Sequence, residues 1–368
     1  MESREARRKE REKIIKNDFH QKLLSWYKAQ HRNLPWRKTR NPYKIWISEV
    51  MLQQTTVQAV IPYYREWLKI FPDIKTLAYS PLEKVLRAWQ GLGYYQRAKN
   101  LHKASKIIVN RYRAKIPQNY EALRELPGFG PYTTAALLSF AFGKRIPLLD
   151  ANVRRVLLRL AGIQDEAHPK NDKSLLEFLT PYLPQKNVDL FNQGLMELGA
   201  LICKVRNPLC LLCPITPFCI AYKKGLQEFI PRPRKRKYHK IEAVVAVVKN
   251  GQKYLVQKRP SSGLLADLWE FPGGKRQPGE RLEDALRREI KEELGTEVSK
   301  EKFLIKVKHA YTQFQVTLFA FECSLKRKPE LKRNVQRWVT LKALRQYPFV
   351  SGSAKIIDFL EKRKTDRK

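Results

Sequence analysis

The stretch 126–150, LPGFGPYTTAALLSFAFGKRIPLLD, decides the fold. It opens with Pro127-Gly128-Phe129-Gly130-Pro131, too rich in breakers for helix or strand, between a helical pattern upstream and the apolar run 135–142 downstream. The pattern predicts a helix, a hairpin and a second helix. Gly128 and Gly130 leave the backbone bare at the entry to the second helix, where unpaired N–H groups and the positive end of the helix dipole can receive a phosphate. A simple tight connection has the same composition, so the rest of the chain must separate the two readings.

At 368 residues the chain has room for two domains, and 43% hydrophobic residues support ordinary cores. Lys+Arg number 73 against 35 Asp+Glu, a net charge of +38 that implies a polyanionic partner, nucleic acid before membrane. No apolar run approaches the ~18 residues of a spanning helix, and the mean hydropathy is −0.51. The start, MESREARRKEREK, lacks an apolar signal core, and its four glutamates argue against a transit peptide. A cytoplasmic, nucleoid-associated monomer is expected. Four of the five cysteines fall between 203 and 219, which points to metal rather than disulfides.

Around the hairpin, Phe19, Leu23, Leu24 and Trp26-Tyr27 recur at helical spacing. Trp36-Arg37 sets a planar aromatic beside a guanidinium, either a core anchor with a surface charge or the border of a base pocket. From Asn41-Pro42-Tyr43 one long helix is expected, with Trp46, Ile47, Val50, Met51, Val57, Val60 and Ile61 on its apolar face. Glu49 lies inside that segment; apolar surroundings disfavour the charged carboxylate, raise its pKa and suit it to deliver a proton near neutrality. Gln53-Gln54-Thr55-Thr56, on the same helix, can read base edges or fill the space of an extruded base. Residues 89–97, WQGLGYYQR, form a second glycine-broken turn whose tyrosines suit a wedge between bases or a core plug. Asp150 precedes an amphipathic helix and is a good N-cap; a cap fixes the carboxylate and is expected to leave one oxygen free. Cys203, Cys210, Cys213 and Cys219 make a C-x6-C-x2-C-x5-C array that suits zinc or an iron–sulfur cube, and Lys204 and Arg206 in its first loop can face a phosphate backbone.

With LPWR, SEVMLQQT, GLGYYQRA, LPGFGPYT, the Asp150 motif and the cysteine array in this order, residues 33–225 resemble the helix-hairpin-helix DNA glycosylases, and within them the MutY-type adenine DNA glycosylases. The resemblance implies an all-α domain over 1–225 with a four-iron four-sulfur cluster at 203–219, acting on double-stranded DNA that carries adenine opposite 8-oxoguanine or guanine. It implies Glu49 as the acid that protonates adenine and Asp150 as the carboxylate that stabilises the cationic sugar, with the base extruded from the duplex to reach them. It implies that Tyr132 and Asn152 organise the site around Asp150, that Trp36, Arg37 and Gln193 line the adenine pocket, and that Gln54, Thr55, Leu92 and Tyr94 contact the opposite strand. Relatives resembling endonuclease III carry a lysine at position 132 that attacks the sugar; a phenol cannot form that Schiff base, so base removal without strand cleavage is expected.

Residues 226–240 read as a basic linker containing FIPRPRKRKYHK. Beyond it, strand patterns at 242–249 and 254–258 flank Asn250-Gly251, a hairpin signal. The region 241–361 resembles the Nudix-like C-terminal domain of the same family, an α+β fold that inspects the base opposite adenine, and 362–368 is a basic tail. The run 274–296 fits the Nudix box, lacking only the last apolar position, where Thr296 stands. Glu289, Glu292 and Glu293 share one helix face at a spacing suited to Mg²⁺ or Mn²⁺, which opens a second activity on 8-oxo-dGTP or a related nucleoside diphosphate derivative. By the resemblance Tyr311 and Thr312 face 8-oxoguanine, and Gln313, standing where the family commonly has histidine, weakens that discrimination. Cys323 lies in a strand pattern and is expected in the core.

Overall fold

A computed structural model describes residues 2–233, 238–311 and 314–365, the side chains of 2–12, 310 and 311 excepted. Thr312 and Gln313, the side chain of Tyr311, the linker residues 234–237 and the last three of the tail thus lie outside the described residues. The helices run in chain order α1 (Glu2–Gln30), α2 (Pro42–Met51), α3 (Val57–Ile70), α4 (Ile74–Tyr79), α5 (Leu82–Ala88), α6 (Gln96–Tyr112), α7 (Tyr120–Arg124), α8 (Pro131–Phe142), α9 (Ala151–Ala161), α10 (Asp172–Leu179), α11 (Val188–Leu201) and α12 (Ile220–Lys223). There follow β1 (His239–Asn250), β2 (Lys253–Lys258), β3 (Trp269–Glu270), β4 (Gly273–Lys275), α13 (Leu282–Leu294), β5 (Val298–Tyr311), β6 (Phe314–Leu325), β7 (Gln336–Thr340), α14 (Leu341–Leu344) and α15 (Ser351–Thr365). Contacts group the chain into one unit of Met1–Lys75 with Lys103–Lys235 and another of Thr76–His102 with Arg236–Lys368.

In the first unit the stretch 126–150 forms the expected helix, hairpin and helix. Asn119 caps α7 by accepting the Ala122 N–H at 2.9 Å, and Gly128 turns the chain at φ +83°, a conformation costly for any residue with a Cβ. Pro131 starts α8 at the position where a missing N–H costs nothing. Residues 133–140 of α8 are all buried, so this helix is the centre of the unit rather than one of its faces. It packs on α2, where Trp46 stacks on Phe129 of the hairpin at 5.2 Å.

The single long helix expected from Pro42 is two. Its first part ends at Met51, Gln54 takes φ +58°, and Thr56 caps a new helix by accepting the Ala59 N–H at 3.4 Å. The apolar face continues across the break, which is why the periodicity runs on; the cap residue is the signal that periodicity hides. The described start of the linker expected from 226 is held by the helical unit. Arg159 donates to the Ile230 carbonyl at 2.7 Å and the Arg232 N–H reaches the Asp165 carbonyl at 3.0 Å, so the proline-rich start of the basic run is pinned to the helical unit.

In the second unit a seven-stranded mixed sheet has the order β3-β2-β1-β6-β5, with β4 on β1 and β7 on β2. Residues 243–248 of β1 are all buried because both faces of the sheet are covered. Val244, Ala246 and Val248 point to α13, and Val245 and Val247 point to α15. Cys323 is core, as its strand pattern indicates. Residues 76–102 join this unit through side chains that sequence periodicity does not reveal. Lys99 Nζ meets Asp267 Oδ2 at 2.6 Å, Trp269 Nε1 donates to Glu83 at 2.9 Å, and the Tyr95 hydroxyl donates to the Phe349 carbonyl at 3.3 Å.

Candidate active site

Three elements of the helical unit bring the catalytic candidates together. Glu49 sits on α2, Tyr132 is the second residue of α8, and Asp150 caps α9. They line a cavity of about 580 Å³ with Trp36, Arg37, Gln54, Thr55 and Asn152. A larger groove on the same unit, lined by Lys13, Lys16, Arg145 and Lys186, has no acid in its wall among the described side chains and does not suit the chemistry of two carboxyls.

Glu49 is 3% exposed. Burial pushes its carboxyl above the ordinary range; the Tyr132 hydroxyl and Arg37 pull it down, and Asp150 adds to the rise. Tyr132 donates its hydroxyl to Glu49 Oε2 at 2.6 Å. The expectation put Tyr132 with Asp150; its hydroxyl bonds Glu49, with Asp150 close enough to act on it electrostatically. Burial and the two neighbouring carboxylates keep the Tyr132 hydroxyl protonated. Asp150 accepts the Val153 N–H on Oδ1 at 2.6 Å and the Asn152 amide on Oδ2 at 3.2 Å. Both oxygens are therefore engaged, not one. Burial raises Asp150 as well, opposed by these two donors and by Arg155. The two acids differ in their partners rather than in the direction of their shift: Asp150 is ringed by N–H donors that favour the anion, whereas Glu49 has one hydroxyl.

Asn152 is fixed in turn. Arg155 Nη2 donates to Asn152 Oδ1 at 2.9 Å and to the Gly199 carbonyl at 2.6 Å, while its Nε reaches the Cys203 carbonyl at 2.8 Å. A Cβ on Gly199 would stand 2.6 Å from Asn152 Cβ, so α11 approaches the first turn of α9 only because position 199 has no side chain.

Sequence reasoning missed Glu197. It is 2% exposed, lines the same cavity, and is gripped by Arg32 through Nε at 2.5 Å, Nη2 at 3.0 Å and the backbone N–H at 3.1 Å. Burial alone would raise this carboxyl, but the Arg32 fork and Arg37 outweigh it and hold it below the usual range. The signal was present: Glu197 lies one helical turn beyond Gln193 in an apolar helix, the same pattern that singles out Glu49. Gln193 is buried beside Trp36, Arg37 and Glu49 in a smaller closed pocket. Leu92 and Tyr94 lie in the other unit. Leu92 is buried, and Arg97 holds their turn by donating to the Leu92 and Gly93 carbonyls, both at 3.1 Å.

At the hairpin, Gly130 has φ −72° and nothing within 4 Å of where a Cβ would stand. Conformation does not require glycine there, and the open space leaves the backbone accessible. The four cysteines lie in the loop after α11. Arg159 Nη1 is 3.1 Å from Cys203 Sγ, and Cys219 donates its thiol to the Arg159 carbonyl at 3.5 Å. Burial raises Cys210, Cys213 and Cys219, Cys213 to about 11, and negative charge on Cys203 raises each of them further. The thiols are thus close enough to act on one another, and a positive centre among them would relieve that repulsion. Among the described residues no three side chains close on a single point as ligands of one ion do.

The Nudix box forms its helix, α13, but does not bring its carboxylates to one point. Arg288 holds Glu280 at 2.9 Å and Glu289 at 2.8 Å, Glu292 is largely exposed, and Glu293 turns inward to accept the Gly273 N–H at 2.8 Å and the Gln257 amide at 2.7 Å. Burial raises Glu293 to about 7. Glu289 lies over Gly274, where a Cβ would collide with its carboxylate.

Residues 47–181 match the model of the HhH-GPD superfamily of base excision DNA repair proteins, and residues 243–359 match the NUDIX domain. The chain is thus a base-excision glycosylase fold joined to a Nudix domain. It is 40% identical over 259 residues to the adenine DNA glycosylase of Buchnera aphidicola subsp. Schizaphis graminum, covering 69% of this chain and 74% of that protein. To the human adenine DNA glycosylase it is 33% identical over 366 residues, covering 83% and 67%. The solved structure of a thermostable thymine-DNA glycosylase matches with a TM-score of 0.53 at 32% identity, over 57% of this chain and 97% of that one. An endonuclease III trapped on DNA matches at TM-score 0.50 and 23% identity, over 58% and 98%, a likeness of fold. The chain belongs to the adenine DNA glycosylase family, enzymes that hydrolyse N-glycosyl bonds. Among the described residues no helix is long and apolar enough to cross a membrane.

Proposed function

We infer that this chain removes adenine paired with 8-oxoguanine or guanine in double-stranded DNA, and that it hydrolyses the N-glycosidic bond without cutting the strand. The carrying observation is the buried pair Glu49 and Asp150 in one cavity with Tyr132 between helix and acid. Glu49, its proton favoured by burial, protonates a ring nitrogen of the extruded adenine. The bond's electron pair then leaves with the base, and the Asp150 carboxylate faces the cationic sugar. Water adds to the sugar carbon and gives up a proton, so the products are free adenine and an abasic site. Tyr132 offers no amine, so no Schiff base forms at this position and the strand is not cut by that route. Gly128 and Gly130 present backbone to the DNA phosphates, and Gln54 and Thr55, which line the cavity, contact the opposite strand.

Cys203, Cys210, Cys213 and Cys219 fit a four-iron four-sulfur cluster, with Arg159 placed to donate to a thiolate sulfur. A bound cluster would be held by these four thiolates, its core offsetting their mutual repulsion and fixing the loop; iron and sulfide content of the purified protein tests its presence. We propose a glycosylase domain through 225, a linker and a Nudix domain over 241–361; the matched regions 47–181 and 243–359 support the reading, while residues 76–102 group by contacts with the second unit. That domain reads the base opposite adenine through Tyr311 and Thr312, with preference for 8-oxoguanine weakened by Gln313. Equal single-turnover rates on adenine opposite 8-oxoguanine and opposite cytosine would remove that reading. We assign no second activity to the box: Glu289 is paired with Arg288 and Glu293 accepts from Gly273 and Gln257, which leaves Glu292 as the one largely exposed carboxylate of the three.

The test is direct. Purified protein and the Glu49→Gln variant are incubated with a duplex bearing adenine opposite 8-oxoguanine, with and without borohydride, and separately with 8-oxo-dGTP and Mg²⁺. Free adenine from the wild type, none from the variant and no trapped adduct are expected. A high yield of adduct, or no adenine release, overturns the proposal, and hydrolysis of the nucleotide overturns the single-activity assignment.

A further inference from the structure

Gln193 is buried beside Glu49, and its amide has two unlike ends: an oxygen that only accepts and an NH₂ that only donates. Which end faces the pocket decides what the pocket reads. The Tyr27 hydroxyl of α1 lies 2.5 Å from Gln193 Oε1. Taken alone, that contact would serve either amide orientation, because a phenol both donates and accepts. Arg37 breaks the tie. Its Nη1 stands 3.4 Å from the same hydroxyl, and a guanidinium can only donate. With the phenol oxygen receiving from Arg37, its proton goes to Gln193; in a site where Tyr27 is 4% exposed, leaving that proton unpaired is costly. Arg37 is itself directed by Glu197 at 4.0 Å, which Arg32 anchors. Polarity therefore runs one way along the row, from Arg37 through Tyr27 to the Gln193 oxygen, and leaves the NH₂ as the end of the amide that this row does not hold.

We propose that Tyr27 is a specificity-determining positioning residue: it orients Gln193 so that the amide donates to a ring nitrogen lone pair of the extruded base. The proposal rests on the adenine-removal reading above. Tyr27 touches no substrate and acts through Gln193.

The experiment crosses enzyme against substrate. Single-turnover release is measured for the full-length wild type and Tyr27→Phe on adenine, 1-deazaadenine and 3-deazaadenine, each opposite 8-oxoguanine, together with the melting temperature of each protein. Wild type is expected to lose rate on one of the two deaza bases. Tyr27→Phe is expected to slow adenine release about five- to tenfold, as for one net hydrogen bond, and to erase that deaza penalty, because an amide free to turn no longer reads the nitrogen. A role in packing alone would lower all three rates together and leave their ratios unchanged, which overturns the proposal, as does a wild type indifferent to both deaza bases. Should Tyr27→Phe not fold, Gln193→Glu decides: it keeps an acceptor for Tyr27 but removes the donor, and a rate within twofold of wild type overturns the idea. Failure of wild type to release adenine at all would instead sink the functional reading, so the two failures are distinguishable.

Discussion

Tyr132 carries more of the chemistry than its neighbours suggest. Its hydroxyl stabilises the charged form of Glu49, so Tyr132→Phe removes a donor and lets burial raise the acid further. The proposed mechanism requires Glu49 protonated; the alkaline limb of the rate profile is therefore expected to move to higher pH in Tyr132→Phe, read by single-turnover rates across pH. Glu49→Gln tests the same environment from the side of stability. Folding raises this carboxyl above its ordinary 4.5, so its contribution is full below that pH and is lost as the pH rises through the folded value. Glu49→Gln is expected to lose about 10²–10⁴-fold in rate yet to melt above the wild type at neutral pH, with the gap closing below about pH 4.5 in thermal scans. At this scale the sequence was readable where a residue type contradicts its surroundings, as Glu49 does in an apolar helix. Which oxygen meets which donor was not readable: Tyr132 sits in α8 at the right height for Glu49 only once α2 packs on that helix.

Among the elements, α9 shows how a helix start becomes a site. Asp150 takes the first free N–H groups, and the close approach of α11 at Gly199 clamps Asn152 beside it. Gly199→Ala puts a methyl into backbone atoms of Asn152 at 3.1 Å, and is expected to cost about 1–3 kcal/mol of stability by denaturant unfolding and to reduce adenine release together with it. Gly130→Ala separates shape from binding in the opposite sense. No atom opposes its Cβ and its φ is ordinary, so unfolding should shift by no more than about 1 kcal/mol, whereas DNA affinity by titration should fall where a methyl meets a phosphate. Breakers, caps and the apolar run made 126–150 legible in advance, and the apolar run 243–248 before Asn250-Gly251 did the same for β1. The break at Gln54 was hidden because an apolar stripe crosses it unchanged; Glu197 stands out by type as Glu49 does, and only its pairing with Arg32, distant in sequence, was hidden.

For the whole molecule, the second unit draws residues 76–102 out of the middle of the helical sequence. The ion pair of Lys99 with Asp267 is largely buried on both sides, 8% and 14% exposed, so Lys99→Met leaves an uncompensated carboxylate and is expected to destabilise that unit by about 3 kcal/mol, measured by denaturant unfolding. No local pattern marks such a grouping, since it depends on contacts more than a hundred residues apart and on side chains that look like ordinary surface charge.

The backbone passes from one unit to the other after Lys75, again after His102 and again after Lys235. A protease nick in the basic run would accordingly not release a free C-terminal piece. The fragments before and after the cut should remain a stoichiometric pair, because the first of them carries Glu83, Tyr95 and Lys99, which complete the second. Co-elution of the two halves after cleavage, weakened by Lys99→Met, is the expected behaviour; separation of intact halves would show that the interleaved segment contributes no holding force. Two separately expressed halves would then act as complementing parts, a split enzyme whose seam is already built into its threading.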